Sequence, residues 1–469
     1  WLENRAEKVD AAIISTDALL YGGLVASRTH HLDPAVLEKR IKRLRDLHLD
    51  TNIRFFAFST LMRTPRESYG NVEPDYYSHV GPAIYRYSQL SDKSDVRAET
   101  LLEDFELGAF ERNLAKEHLQ DWLDRRNKNM AVNQQLAILA RMGRFDYFAI
   151  GKDDNAPYSH THMEARKISL GNAAVSSASF QVLPGVDQLG LLLLTRAANQ
   201  LENHSPKVYQ MYVEGEGPKT TPQYSDLPLG ISVPEQIIAA GGTVVNSPAN
   251  ADVILAINTP ADGIMYDSTD SSNQYFASFS NKRYIDHLGA MLRSGANISL
   301  ADVAFSNGAD NGFMNELSLR GFTEQLAAYN GWNTADNAIG FAIAQGMLAP
   351  QIPRGKQLAL MRERILDDWY YQSNARRIIT EELEKAKLTN HKYNLDDMAG
   401  EVQKKSRKIM RQLAVNYDIT AGTSFEVAFP WNRLFEVDIT QLKQDKNKLR
   451  NRSRAARGLL PDVFPIRSD

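Results

Sequence analysis

The stretch FDYFAIGKDDNAPYSHTHME, residues 145–164, decides how this chain is read. Its apolar run from Phe145 to Ile150 has the length of a buried strand and ends in two adjacent acids, Asp153 and Asp154. A turn around Asn155 and Pro157 follows, then two histidines spaced H-x-H, His160 and His162. Like charges at that range repel, and burial strengthens the repulsion. Either water solvates the pair, or a substrate or metal uses it.

The same signature recurs outward from this stretch. Short apolar runs predict strands at Ala11–Ser15, Ile53–Phe58, Phe145–Ile150, Phe180–Leu183, Val208–Val213, Thr243–Val245, Val253–Ile257, Ile298–Ala301 and Ala327–Tyr329. Helical patterns separate them at Pro34–Leu47, Leu107–Met142, Val186–Leu201, Val233–Ala240, Ile285–Arg293 and Asn337–Met347. Pro34 stands at a helix start, where its missing N–H costs little, and Gly241-Gly242 closes a helix. Such alternation implies an α/β fold of parallel strands with helical crossovers. A barrel-like (β/α) arrangement is slightly favoured over two doubly wound halves. Residues 1–350 read as the α/β region, divisible into halves 1–204 and 205–350, and 351–469 as a mainly helical C-terminal region.

Size and composition set the bounds. The chain has 469 residues, 43% of them apolar and 24% charged, the balance of an ordinary globular protein. Its formal charge of −3, from 54 basic and 57 acidic residues, favours neither nucleic acid nor an anionic membrane surface as partner. No apolar run approaches the roughly 20 residues that span a bilayer. The absence of cysteine excludes disulfides, thiolate metal sites and a cysteine nucleophile. The sequence starts at Trp1 without methionine or signal peptide, which points to a processed or truncated product whose compartment cannot be read. The lysine- and arginine-rich run Gln441–Arg457 reads as a solvated helix face.

In parallel α/β folds ligands gather at the carboxyl ends of the strands. The candidate strands deliver Asp17, Tyr21 and Arg28 after the first, Arg63 after the second, and Asp153, Asp154 and Asn155 after the third. Asp187, Glu214, Asn258 and Asp302 follow later strands, and Trp332 and Asn333 follow the last. Each alone is more often a turn former. Together they predict a polar pocket floored by a sheet, with the others binding substrate around an Asp153–Asp154 catalytic pair.

Glycoside hydrolysis requires two carboxyl groups at a defined separation. Some N-acetylhexosaminidases use two adjacent acids at a strand end, one polarising the substrate's acetamido group and the other acting as general acid. The pair therefore predicts a glycoside hydrolase acting on an amino-sugar-containing glycan, with no cofactor. Two alternatives stand beside it: a non-catalytic protein binding a small polar ligand, and a metal-dependent hydrolase using Asp153, Asp154, His160 and His162 for a divalent metal. On a helix, however, residues two apart do not face the same way. Neither a phosphate-binding G-x-x-x-x-G-K-[ST], nor G-x-G-x-x-G, nor G-x-S-x-G occurs at a fitting position. The number of subunits leaves no trace in the sequence.

AIISTDALLYGGLVASR at 12–28, GKDDNAP at 151–157, PGVDQLG at 184–190, YNGWNTADNAIG at 329–340 and FPWNRLFE at 429–436 together resemble a bacterial family catalogued as a domain of unknown function. The resemblance spans nearly the whole chain and implies no activity. It does imply an upstream strand ending in an L-D-D-R-P-like segment, a piece missing here that would add an acid or arginine to the pocket.

Overall fold

A computed structural model describes Arg5 and residues 8–49, 53–67, 72–173 and 176–442. The basic run expected at Gln441–Arg457 therefore lies, beyond Leu442, outside the described residues. The chain folds as two compact units. One holds the residues up to Val208 together with Thr221–Val244, the other Tyr209–Thr220 together with the residues from Val245 on.

The first unit is built on β1 (Ala11–Ser15), β2 (Arg54–Leu61), β3 (Tyr147–Lys152) and β4 (Phe180–Pro184), paired in parallel in the order β1-β2-β3-β4. Each strand lies beside its predecessor, without the reversal that marks a doubly wound sheet. Helices cover both faces, so β3 is buried at every residue and reads as a continuous apolar run. Phe55, Ala57, Phe148 and Ile150 pack with Leu37, Ile41 and Leu44 of helix Pro34–Leu49 and with Leu136 and Ala140 of helix Lys116–Arg141. Alternation along β2 turns Phe58 to the other face, where Gly190 of helix Leu189–Leu201 lies against its ring. Burying each such side chain contributes about 1.5–3 kcal/mol relative to leaving it exposed.

β5 (Lys207–Tyr212) runs across the unit boundary, and its first residues pair with β6 (Thr243–Val244), which belongs with them to the first unit. After these come β7 (Val253–Asn258), β8 (Tyr266–Asp267), β9 (Ile298–Asp302), β10 (Phe305–Ser306) and β11 (Ala328–Asn330). The sheet order is β6-β5-β7-β9-β11: the chain steps from β5 to β6 on one side and then winds the other way through β7, β9 and β11, a reversal of the doubly wound kind, while β8 and β10 form a small parallel pair. The expected α/β class and the helical C-terminal region are both present. The residues after 350 share one apolar core with the second sheet: Trp369, Tyr370, Met410 and Leu413 pack with Ile254, Ile298 and Leu300. Antiparallel β12 (Ser424–Ala428) and β13 (Asp438–Leu442) close that core with Phe425, Val427 and Ile439.

The helix expected over Leu107–Met142 is two helices, Leu101–Asn113 and Lys116–Arg141, because Leu114 turns to an extended conformation. The first starts early on a capping box in which Thr100 and Glu103 satisfy each other's backbone N–H groups. Helix Tyr77–Asp95, with Pro82 inside it, was not expected. The Gly241-Gly242 stop is real: Gly241 takes φ 81°, and both N–H groups turn back to the carbonyls of Ile238 and Ile237.

Candidate functional site

All four strand ends of the first sheet lie on one edge, and the fold treats the two acids after β3 differently. Asp153 is 4% exposed, and its carboxylate accepts a 2.5 Å bond from Arg28 Nη2. The side chain of Asp154 is 26% exposed and accepts a 2.6 Å bond from Arg63 Nη1. Asp154 also takes φ 27°, a left-handed conformation uncommon for a residue with a Cβ. Glu73, which sequence reasoning missed, joins the two arginines: Arg63 Nε donates to it at 2.6 Å, and Arg28 Nη1 lies 3.5 Å away. The result is a chain of alternating charge, Asp153–Arg28–Glu73–Arg63–Asp154. A depression of about 480 Å³, lined among others by His31, Tyr76, His118 and Asp121, reaches Glu73.

Burial raises the Asp153 carboxyl to about 6, with the Arg28 guanidinium opposing the rise and the neighbouring Asp154 charge adding to it. Asp17, just past β1, accepts hydrogen bonds from Thr60 and, at 3.3 Å, from Ser59. Burial raises it to about 7 against those two bonds, and the Asp153 charge adds to the rise. Burial works against the Arg63 charge, but Glu73, Asp154 and Asp153 outweigh it and hold the guanidinium well above its ordinary range. Beneath the chain, Arg126 grips Glu164 with two 2.8 Å bonds and donates to the Arg63 carbonyl at 3.2 Å, fixing the segment after β2. Lys152 pairs at 2.5 Å with Asp226, both side chains buried. Among the described residues, Arg28 Nε and Asn155 Nδ2 of this cluster are buried donors without partners.

The structure therefore brings Asp17, Arg28, Arg63, Asp153 and Asp154 together, with Asn155 alongside. Asn155 holds the turn, donating its backbone N–H to Tyr224 and accepting from Ser159 Oγ. Tyr21 is stacked on His30, and Asp187 is exposed after β4. The glycine pair after Tyr21 makes a tight turn: the N–H groups of Tyr21, Gly22 and Gly23 all donate to the Asp17 carbonyl.

Both histidines have other duties. His160 is buried edge-on against Trp122, and burial lowers it to about 3. His162 pairs with Asp92 at 2.7 Å. Among the described residues no group of three or more histidine, aspartate or glutamate side chains is placed to hold a metal ion.

The other expected residues belong to the second unit. Glu214 is exposed and pairs with Arg283 on the surface. Asn333 Oδ1 accepts from Thr334 N and Asn337 Nδ2 at the start of helix Ala335–Leu348. Asn258 and Asp302 stand at the ends of β7 and β9 and are joined there by Asp310, with Asp368 near Gly331 and Trp332. Asp367 and Asp368 were missed, although two acids among Ile365, Leu366, Trp369 and Tyr370 were a readable signal. They lie on a π-helix, Ile365–Ala375, that is buried throughout, and Arg364 answers both. Burial raises Asp368 to about 7, with Arg364 opposing it and the Asp367 charge adding.

Fold and site define a protein of the parallel α/β class, with polar clusters at its strand carboxyl ends. It belongs to the family described as "Protein of unknown function (DUF4127)", which matches residues 1–440. No curated protein and no solved structure matches the chain.

Proposed function

We propose that the chain is a glycoside hydrolase acting on an amino-sugar-containing glycan, with Asp153 and Asp154 as its acid pair. What supports the reading is the arrangement of that pair: adjacent carboxyls after a buried parallel strand, one sunk against Arg28, the other reaching the surface on a left-handed residue. A residue held so costs about 1–3 kcal/mol, and such strain clusters at functional sites.

Asp154, protonated once substrate takes the place of its Arg63 contact, donates that proton to the glycosidic oxygen as that bond breaks. The substrate's acetamido oxygen forms the new bond to the anomeric carbon, and Asp153 accepts the acetamido N–H. Water then opens the intermediate, returning its proton to Asp154. Asp153 must be ionised for this, so turnover falls as pH drops below about 6. Aryl N-acetylhexosaminides test the reading. Asp154→Asn should lower kcat by roughly 10²–10⁴-fold in a protein that still unfolds in one cooperative transition. Absence of turnover on any aryl glycoside, or full activity in the variant, refutes it.

One observation favours a second reading. Both acids are already answered by arginines, as suits a site that binds a small polar ligand without converting it. That reading expects ligand-dependent stabilisation with no product.

A further inference from the structure

We propose that the strand carboxyl edge of the second unit binds the ammonium group of a small ring-bearing amine, with Asp302 and Asp310 as its anionic receptors. Asp302, fully buried at the end of β9, and the half-buried Asp310 are tied together. Asn258 Nδ2 donates to both, at 2.8 and 3.2 Å, and the Asp310 N–H donates to Asp302 at 2.9 Å. Neither has a cationic partner among the described residues, unlike Asp367 and Asp368 beside them or the acids around Asp153. Removing two such charges from water without compensation costs several kcal/mol per ion.

Independent of the acids, two buried polar atoms at the same place lack partners among the described residues. The Tyr329 hydroxyl is wholly enclosed and feels the charges of Asp302, Asp368 and Asp310, and Asn258 Oδ1 faces no donor. These unfilled positions are predominantly acceptors. An ammonium carries three N–H donors and a positive charge, which matches them. A metal ion is the poorer fit, since among the described residues no group of three or more acidic or histidine side chains is placed to ligate one.

Asp310, the less buried of the two acids, also accepts from Asn281 at 3.3 Å. Asn281 lies in the first turn of helix Phe279–Arg293, and just before and at that start Phe276 and Phe279 stand 84% and 77% exposed. Exposed aromatic faces beside an anionic mouth suit a ring attached to the amine.

The inference stands apart from the acid pair of the first unit and is tested without turnover. Thermal unfolding at pH 8 is followed with benzylamine, with its neutral analogue benzyl alcohol, and with sodium, magnesium and calcium chlorides at matched ionic strength. Benzylamine should raise the Tm by at least about 2 °C, and the others should not. Asp310→Asn should abolish the response while keeping the helix cap, because asparagine caps as well as aspartate. Tyr329→Phe should weaken the response several-fold in a folded protein. An equal response to benzyl alcohol, a larger one to a metal salt, or an undiminished one in Asp310→Asn overturns the proposal.

Discussion

Replacing Asp17 by asparagine isolates the energetic consequence of one buried acid in the first unit. Asp17 is 2% exposed, and burial raises its carboxyl from 3.8 to about 7. In the unfolded chain the proton leaves near the lower value, while the folded chain keeps it until the upper one. Between the two, the native state binds more protons than the unfolded state, so stability falls as pH rises through that window. Taken from pH 5 to pH 8, this group alone removes roughly 2–3 kcal/mol, out of a total near about 4 kcal/mol. The asparagine side chain would carry no titrating proton, yet its carbonyl oxygen can still accept from Thr60. Urea unfolding of both proteins at the two pH values cancels every other titrating group in the difference of differences. The parent should lose roughly 2–3 kcal/mol more than Asp17→Asn. Equal losses would refute the claim that the fold imposes an uncompensated burial cost on this carboxyl.

Two further outcomes follow from the same sheet edge. Lys152→Met should cost about 3–5 kcal/mol, because it strands the buried Asp226 charge, and Lys152→Met with Asp226→Leu should recover most of it in the same unfolding assay. Gly151→Ala should destabilise by about 1–3 kcal/mol, since a Cβ there would stand 2.6 Å from the Gly185 carbonyl and 2.7 Å from Val186; calorimetry would show the lowered Tm.

What the sequence made legible is governed by how local each signal was. Every expected strand has its counterpart, and β3, β7 and β9 read most plainly because a strand covered on both faces is largely apolar along its length and ends where polar residues begin. Asp153, Arg28 and Arg63 were readable because each follows such an ending. Glu73 stands past the residues read after β2: it matters only because Arg28 and Arg63 converge on it, and no spacing records that. The break at Leu114 escaped for the related reason that helical periodicity persists across it, while the extended backbone there leaves no pattern.

The same contrast separates the two clusters physically. In the first unit three carboxylates are interleaved with two guanidiniums, so the charge is nearly balanced before any ligand arrives. An incoming group must displace an arginine contact or use the leftover donors, Arg28 Nε and Asn155 Nδ2. In the second unit Asp302 and Asp310 are joined by an amide that supplies no charge. Burial drives both carboxyls upward, and the Asp310 charge adds to the rise at Asp302. A site left in that condition gains most from a cation and, lacking one, from protons. The two candidates therefore respond differently to salt: screening loosens the arginine chain around Glu73, while Asp302 and Asp310 have no ion pair among the described residues to be screened. Titrating stability against ionic strength distinguishes them even before a ligand is known.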